Sequence, residues 1–598
     1  MHLVIFETGG NQRFIFRSNR LREITGASEL IYRAGTSYVL NAVKDSGGPD
    51  YSAEFGDPLA LRRAILTRPS AGGIEVIVAT SGKTMLLING RDSATNAKDI
   101  VRLATRTALR EAPGLDLCGI AHEILPEEER EFGKAVSKAY QLLQRVQGQR
   151  AGADTRAQQL PIVAACRSTG GPAYGQIDET LKGKDGSSHG PAVWRDVSRS
   201  SFVQAEHFGR SGKPRAEERP GWRDRLNKIV DGTDIVFPPN PHRLEHDANL
   251  DWLGVVHVDG NGLGLIFQKF ENYLPHGKQD YRTYIDEFRK FSIALECATE
   301  QAFIETLASK QPNAWRPHRH RGKKGDSPFV ACVPLILGGD DITLICDGRE
   351  ALPFTINFLR NFEARTADSD IIREIMGRAT NGRERKVTAS AGVAIVKPHF
   401  PFHQAYQLSE ELIKSAKRPV KSPCDGQSPR CSSIDFHILY DASFTELADI
   451  RSRLVRGNQG ALFRLTAKPY AVLPEGEAAE GGWQAHASWH ELEKRIHALR
   501  SNENGRRLLS SSQMHELREA YHRGYRAGDD QLALVEHRLD SKKLKDLLEA
   551  PRNGKPTLVR DCCSLGSQKL EETRFLDALD AAAFWGVDEP VSEGGADE

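Results

Sequence analysis

Apolar positions cluster along the first 120 residues in two alternating rhythms. An apolar run from His2 to Phe6 is followed by a second, Arg13 to Phe16, and then by Asn19 to Ala34, where Leu21, Ile24, Leu30 and Ile31 recur at helical spacing behind Asn19 as the expected N-cap. Ile74 to Ala79 and Thr84 to Ile88 read as strands joined through Thr80-Ser81-Gly82-Lys83 as a hairpin. The amphipathic stretch Ala97 to Glu111 and the apolar stretch Leu115 to Ile120 complete a β-α-β-β-α-β order, a ferredoxin-like split unit.

The same order returns from Trp252. Leu253 to Val258 reads as a strand, Tyr281 to Leu307 as a long helix, and Val330 to Leu337 with Ile342 to Cys346 as two strands around Gly338-Gly339-Asp340-Asp341. A helix from Ala351 to Ala364, a strand from Lys386 to Val396 and a helix from Gln404 to Lys417 follow, with Leu408, Leu412 and Ile413 on the apolar face of the last. Between the units, Gly, Ser, Pro and charge dominate, and two helices are expected there, Ala192 to Phe208 and Arg215 to Val230. Beyond Ser432 to His437 the expected helices are Phe444 to Val455, Trp489 to Arg500, Ser510 to His522 with serine N-caps, and Leu532 to Leu548. The last residues, Asp588 to Glu598, read as an acidic frayed tail.

The expected fold class is therefore α+β, with two β-α-β-β-α-β units, a helical connecting region and a mostly helical C-terminal part. The expected boundaries are 1–150, 151–249, 250–440 and 441–598.

Composition narrows the function. In 598 residues, 81 Lys and Arg face 80 Asp and Glu, so a bulk electrostatic binder of nucleic acid is excluded and any such contact must be local. With 39% hydrophobic and 27% charged residues the chain is globular in type. No apolar run reaches membrane-spanning length and the start lacks signal-peptide character, so a cytoplasmic protein without membrane contact is expected. The nine cysteines are scattered without paired CxxC knuckles, which argues against a structural zinc.

The chemistry concentrates in the second unit. Asp259 ends its first strand and Asp340-Asp341 sits at its hairpin tip, so the topology brings three carboxylates toward one edge of the sheet. Carboxylates held together repel unless a cation neutralises them, and hard oxygen donors favour Mg²⁺ or Mn²⁺, two ions in a phosphoryl-transfer centre. Gly338 and Gly339, with Gly260 and Gly262 across from them, let backbone approach a triphosphate closely. Gly-Gly-Asp-Asp between apolar strands is also a good hairpin turn in its own right. The helix ending Ser415-Ala416-Lys417-Arg418 brings a cation within reach of a phosphate tail.

These motifs carry a resemblance. Asp259-Gly260-Asn261-Gly262, Gly338-Gly339-Asp340-Asp341, Ser390-Ala391-Gly392-Val393-Ala394-Ile395, Ser415-Ala416-Lys417 and Ser433-Ile434-Asp435-Phe436-His437 resemble the second palm domain of the polymerase-cyclase large subunit of type III CRISPR effector complexes, related to GGDEF and class III nucleotidyl cyclases. Asn19 to Leu30 is similar to the start of that family's first palm. The resemblance implies conversion of ATP to cyclic oligoadenylates in antiviral defence. Asp259, Asp340 and Asp341 would then hold the metals, Lys417 would contact the triphosphate, and Asn261, Ser390 and Ser433 would line the nucleotide site.

The departures are as informative. The first unit begins at Met1 and the family's zinc cysteines are missing, so a shortened relative without an HD nuclease domain is expected. His246-Asp247 reads as surface loop. The first unit has no acids at its hairpin tip, and Ser81, Lys83 and Ser28 are expected to face the cleft of a degenerate palm, for nucleotide binding or for structure alone. Ser81-Gly82-Lys83-Thr84 is no Walker A loop, because Ile77 stands where its first glycine belongs. The basic insertion around Arg316 to Lys324, beside Trp315, reads as a solvated loop or as a recruiter of RNA or polyphosphate. Two other functions stay open at the level of sequence: a homodimer making a cyclic mono- or dinucleotide, and a nucleotide-binding assembly subunit with RNA or effector-complex partners.

Overall fold

The computed structural model describes all residues except 153–159, 179–193, 208–220, 239–243, 245–247, 276–279, 309–316, 319–328, 422–430, 441–445, 459–460, 477–481, 504–505, 538–543, 552–555, 566–567 and 587–598. The basic insertion (apart from the backbone at 317–318), His246-Asp247 and the acidic tail lie outside the described residues.

The first unit is built on a five-stranded antiparallel sheet. Its main strands are β1 (His2–Gly9), β2 (Ile74–Thr80), β3 (Lys83–Ile88) and β4 (Asp116–Glu123), ordered β2-β3-β1-β4, with the short strand Ser70–Ala71 outside β2. Near-continuous apolar runs such as Leu3–Phe6 and Met85–Ile88 are fully buried, as expected of strands covered on both faces. The helices α1 (Asn11–Ile15), α2 (Leu21–Gly35) and α3 (Ser93–Glu111) pack around it. One expectation changes here: Asn19 does not cap α2, whose N-cap is Arg20, and the Asn19 side chain turns to His403 of the second unit; the apolar run Arg13 to Phe16 falls on α1 and its C-cap Phe16. Helices Ser37–Asp45, Pro58–Thr67 and Phe132–Gln149 join the unit without having been read from the sequence.

The second unit repeats the order with β5 (Leu253–Gly260), α4 (Tyr281–Ala308), β6 (Cys332–Gly338), β7 (Asp341–Asp347), α5 (Ala351–Asp368), β8 (Ala389–Val396) and α6 (Phe402–Lys421). Its sheet runs β6-β7-β5-β8 and is extended by β9 (Ser432–Ile438), parallel to β8, and then by β10 (Tyr470–Val472). Helix α6 lies close on β8 because Gly392 has no side chain: a Cβ there would stand 2.2 Å from the Ser409 carbonyl oxygen.

The connecting region holds a short hairpin, Gly175–Asp178 with Trp194–Val197, and helices Arg199–Glu206 and Trp222–Ile229. The helix expected from Ala192 thus begins later, since Trp194–Val197 is strand and Ser198 caps the helix that follows. Buried ion pairs tie this region and α4 to the first unit: Arg195 to Glu23 at 2.7 Å, Arg225 to Glu29 at 2.9 Å, Arg62 to Glu296 at 3.4 Å and Arg289 to Glu75 at 2.5 Å. Removing one partner of such a pair strands a buried charge, so the two units are docked with a defined register.

In the C-terminal part, helices Trp489–Arg500 and Ser511–Arg523 match their expected positions, the second with Ser510 and Gln513 in a capping box. Of the helix expected over Leu532 to Leu548, Leu532–Glu536 is the end of helix Tyr525–Glu536, residues 538–543 lie outside the described ones, and Leu544 to Leu548 is not helical. A four-stranded sheet, with strands at Val455–Asn458, Ala461–Arg464, Gln568–Glu572 and Arg560–Leu565, stands within the part expected to be mostly helical, where no strand was read. Among the described residues no helix is long and apolar enough to cross a membrane.

Candidate functional site

Strand register builds the site. In the antiparallel pairs β7-β5 and β8-β5, Asp341 stands opposite Asp259, and Asp259 opposite Ser390. Residues directly opposed across antiparallel strands share a face, so Asp259 and Asp341 form an acidic pair in one row. Alternation sends Asp340 to the other face, against Gly260. A Cβ on Gly260 would lie 2.7 Å from Asp340 Oδ2, so that glycine makes room for the carboxylate. Gly339 turns the chain at φ 63°, and its carbonyl accepts from Thr299 Oγ1 of α4 at 2.5 Å, which pins the turn.

The expected convergence of three carboxylates is corrected accordingly: two share a row, and the third reaches the tip from the opposite face. Among the described residues no three His, Cys, Asp or Glu side chains stand as a ready metal centre. Asp259 Oδ2 instead accepts from Lys417 Nζ. Lys417, expected at a triphosphate, is thus held on a carboxylate by charge complementarity.

The acids are electrostatically loaded. Burial, reinforced by the neighbouring Asp341, pushes the Asp340 carboxyl up to about 6 against the pull of its own and the Gly260 backbone N–H and of Lys83. Asp341 is raised by burial, against His257, with Glu410 adding to the rise. Its Oδ1 is buried without a hydrogen-bond partner. That orphaned carboxylate acceptor, with the Asp259 carboxylate opposite it in the same row, is a donor of the kind a hard divalent cation takes.

His257 and Glu410 escaped the sequence reading. His257 Nδ1 lies 3.4 Å from Asp341 Oδ1 and 2.9 Å from Thr343 Oγ1, and Nε2 lies 3.3 Å from Glu410 Oε1. Burial opposes charge on the ring, but Asp341 and Glu410 outweigh it and its pKa is raised. Burial would lift Glu410, yet bonds from His257 and Tyr406 hold it at about 2. One signal was present: a histidine two residues before Asp259, on the same face of an otherwise apolar strand.

Ser390 and Ser433 are fully buried and spend their hydroxyls on each other at 2.7 Å, on Asn261 Oδ1 at 2.8 Å and on the Ala416 carbonyl at 3.0 Å. They hold Asn261, which also bonds Thr388 through Nδ2 at 3.1 Å, and do not themselves line an open nucleotide site. Gly262, at φ 77°, starts the short helix Leu263–Gln268.

A cavity of 740 Å³ opens between the two units. Gly338, Gly339, Asp340 and Asp341 form one wall, Ser28, Ser81 and Lys83 of the first unit form another, and Phe267 and Phe288 supply apolar surface. The size and the mixture of apolar wall and few polar groups suit a small-molecule site. Lys83 stays a cation: burial works against its charge, but Tyr140, whose ring it overlies at 4.9 Å, with Glu7 and Asp340, raises its pKa. Asp259, Asn261, Ser390, Ser433 and Lys417 are not among the described lining residues.

Comparison with known proteins places one segment. Residues 252–422 match the family model described as Cas10/Cmr2, second palm domain. No curated protein matches the chain. Similar solved structures include the Csm1-Csm4 cassette in complex with cA4, at 14% identity over 98% of this chain and 69% of that one, with a TM-score of 0.46. The same cassette in complex with pppApA matches at 14% identity over the same shares with a TM-score of 0.47. The Csm1-Csm4 subcomplex in the type III-A CRISPR-Csm interference complex does so at 14% identity, 98% and 69% coverage and a TM-score of 0.46.

Proposed function

We propose, from the match of residues 252–422 to the second palm domain of the Cas10/Cmr2 family, that the chain is a metal-dependent nucleotidyltransferase that converts ATP to cyclic oligoadenylate-type products in prokaryotic antiviral defence, as a subunit of an RNA-guided effector. The observation that carries the reading is the Asp340-Asp341 turn, in register with Asp259, opening on a cavity whose far wall brings Ser81 and Lys83.

In this reading Asp340 and Asp341 at the cavity wall would hold Mg²⁺ or Mn²⁺, and Asp259, opposite Asp341 in the same row, would join them on giving up its bond to Lys417. When bound, the divalent ions would lower the pKa of a nucleotide 3′-hydroxyl and neutralise charge at the attacked α-phosphate. The chain's own residues do the rest. Gly338 and Gly339 present backbone without side-chain obstruction, and Lys83 meets phosphate charge from the opposite wall. Phe267 and Phe288 give a base an apolar surface that excludes water. Lys417 donates to Asp259 Oδ2 and in this reading balances the charge of that carboxylate in the metal-free protein. The 3′-oxygen of one nucleotide bonds to the α-phosphorus of another as the bond to the β-phosphate breaks and pyrophosphate leaves; in the same way the last 3′-oxygen closes on the first nucleotide's α-phosphorus, expelling its pyrophosphate, and each hydroxyl proton passes to solvent.

Both walls of the cavity come from one chain, which supports a reading in which acceptor and donor nucleotides are held without a second copy. This favours oligomer synthesis over a homodimeric cyclase. The test is incubation of the full chain with Mg²⁺ or Mn²⁺ and each NTP, with products identified by mass. Cyclic or linear oligoadenylates are expected from ATP. A cyclic mononucleotide as sole product overturns the polymerising step, and nucleotide binding without turnover overturns the enzymatic reading.

A further inference from the structure

Behind Asp341 runs a set of polar contacts that no step of the proposed reaction uses. His257, on the face of β5 that carries Asp259, faces Asp341 Oδ1 at 3.4 Å and Glu410 Oε1 at 3.3 Å, one ring nitrogen to each. The same Glu410 oxygen accepts from Tyr406 Oη at 2.6 Å and from Gln12 Nε2 at 2.5 Å. Gln12 belongs to α1 of the first unit, 398 positions away in sequence. Around this contact Phe16 stacks on Tyr406 with ring centroids 3.8 Å apart, and Asn19 Oδ1 lies 3.0 Å from His403 Nδ1.

We propose that the chain Gln12, Glu410, His257 orients the Asp341 carboxylate, so that His257 and Glu410 are positioning residues for the divalent-ion site and the seating of α1 on α6 is a condition for its geometry. This rests on the reading of Asp341 as a metal-holding residue. Three arguments carry it. Asp341 Oδ1 is buried without a hydrogen bond, and the imidazole is the group that faces it. The ring is buried and engaged at both nitrogens, by Thr343 at 2.9 Å and by Glu410, so it cannot turn away. Outer-sphere partners held in this way set ligand orientation. Finally, Gln12 is exposed, and an exposed amide has water for a partner; its donation to Glu410 therefore answers no burial requirement of its own.

The experiment is Mn²⁺ binding to the full chain without nucleotide, read as free Mn²⁺ by electron paramagnetic resonance, with thermal unfolding of each variant alongside. Glu410→Gln is expected to weaken Mn²⁺ binding roughly tenfold, and Gln12→Ala, which lies on the surface of another unit, about threefold. A dissociation constant equal to wild type in both variants overturns the inference. Should Glu410→Gln fail to fold, Gln12→Ala decides alone. The underlying reading fails separately: Asp341→Asn would then bind Mn²⁺ as tightly as wild type. If Asp341→Asn loses the ion while Glu410→Gln and Gln12→Ala keep it, only the positioning role is lost.

Discussion

Replacing Gly260 by alanine probes the acidic turn without removing a charge. The added Cβ would meet Asp340 Oδ2 at 2.7 Å, Asp340 Cβ at 2.9 Å and Leu263 Cδ1 at 2.6 Å, where ordinary contact begins near 3.4 Å. Leu263 Cδ1 is the end of a flexible side chain and can yield. Asp340 Cβ cannot move without its backbone, and that backbone is pinned by the bond from Thr299 to the Gly339 carbonyl. The carboxylate must therefore retreat by about 0.7 Å, the overlap left after ordinary contact is restored. A displacement of about 1 Å at a reacting centre costs on the order of a hundredfold in rate, so Gly260→Ala is expected to lower turnover between roughly tenfold and a hundredfold, about 1.4 to 2.7 kcal/mol of barrier. The stability cost of one overpacked methyl is only about 1 kcal/mol. The assay is the initial rate of pyrophosphate release from ATP at saturating Mg²⁺, with thermal unfolding measured in parallel. Gly264→Ala serves as the control, because a Cβ there meets nothing within 4 Å. Wild-type turnover in Gly260→Ala refutes the placement of Asp340 in the working site.

Three further outcomes follow from the same contacts. Because the Asp340 carboxyl is raised to about 6, its neutral form is the one the fold favours; this contribution is fully present below about pH 4 and is lost as pH rises through 6, so Asp340→Asn should flatten the melting profile of the metal-free protein between those limits. An unchanged slope in that variant would count against the assigned shift. Gly392→Ala would set a Cβ 2.2 Å from the Ser409 carbonyl and 2.6 Å from the Ile413 nitrogen, both backbone, and should cost about 3 kcal/mol as α6 lifts from β8, seen as a lowered unfolding midpoint. Thr299→Val removes the donor to Gly339 and should reduce kcat several-fold with KM for ATP little changed; a change in KM alone would mean that the turn does not depend on that bond.

The strands of both split units were legible because each is a short, nearly continuous apolar run bounded by turn residues, as in Leu253–Val258 before Asp259 and Ile342–Cys346 after Asp341. The helix Phe132–Gln149 was missed. Its buried face, Phe132, Ala135, Val136, Ala139 and Leu143, follows helical spacing, but it comes after Ile120, where the split unit was already complete, so nothing in the expected topology called for it. The C-terminal sheet escaped because it joins Ala461–Arg464 to Gln568–Glu572 in parallel, a pairing across a hundred residues that no local pattern announces. At the site, turn chemistry located the acids, but strand alternation decides which share a face, and the sequence reading did not apply it to Asp340. Ser390 and Ser433 looked like ligands for a nucleotide, yet their strands run side by side in register and turn the two hydroxyls toward each other. Gln12, His257 and Glu410 belong to three distant segments: the packing of α6 on its own sheet brings Glu410 to His257, and the seating of α6 on α1 brings in Gln12.

The central claim, that the acids of this turn support nucleotidyl transfer, is tested most directly by pyrophosphate release from ATP, with Mg²⁺ or Mn²⁺, by the wild-type chain and by the double variant Asp340→Ala, Asp341→Ala. Release by the wild type and its loss by at least about a hundredfold in the variant, with the fold retained, is the predicted result. Equal release by the two proteins contradicts it.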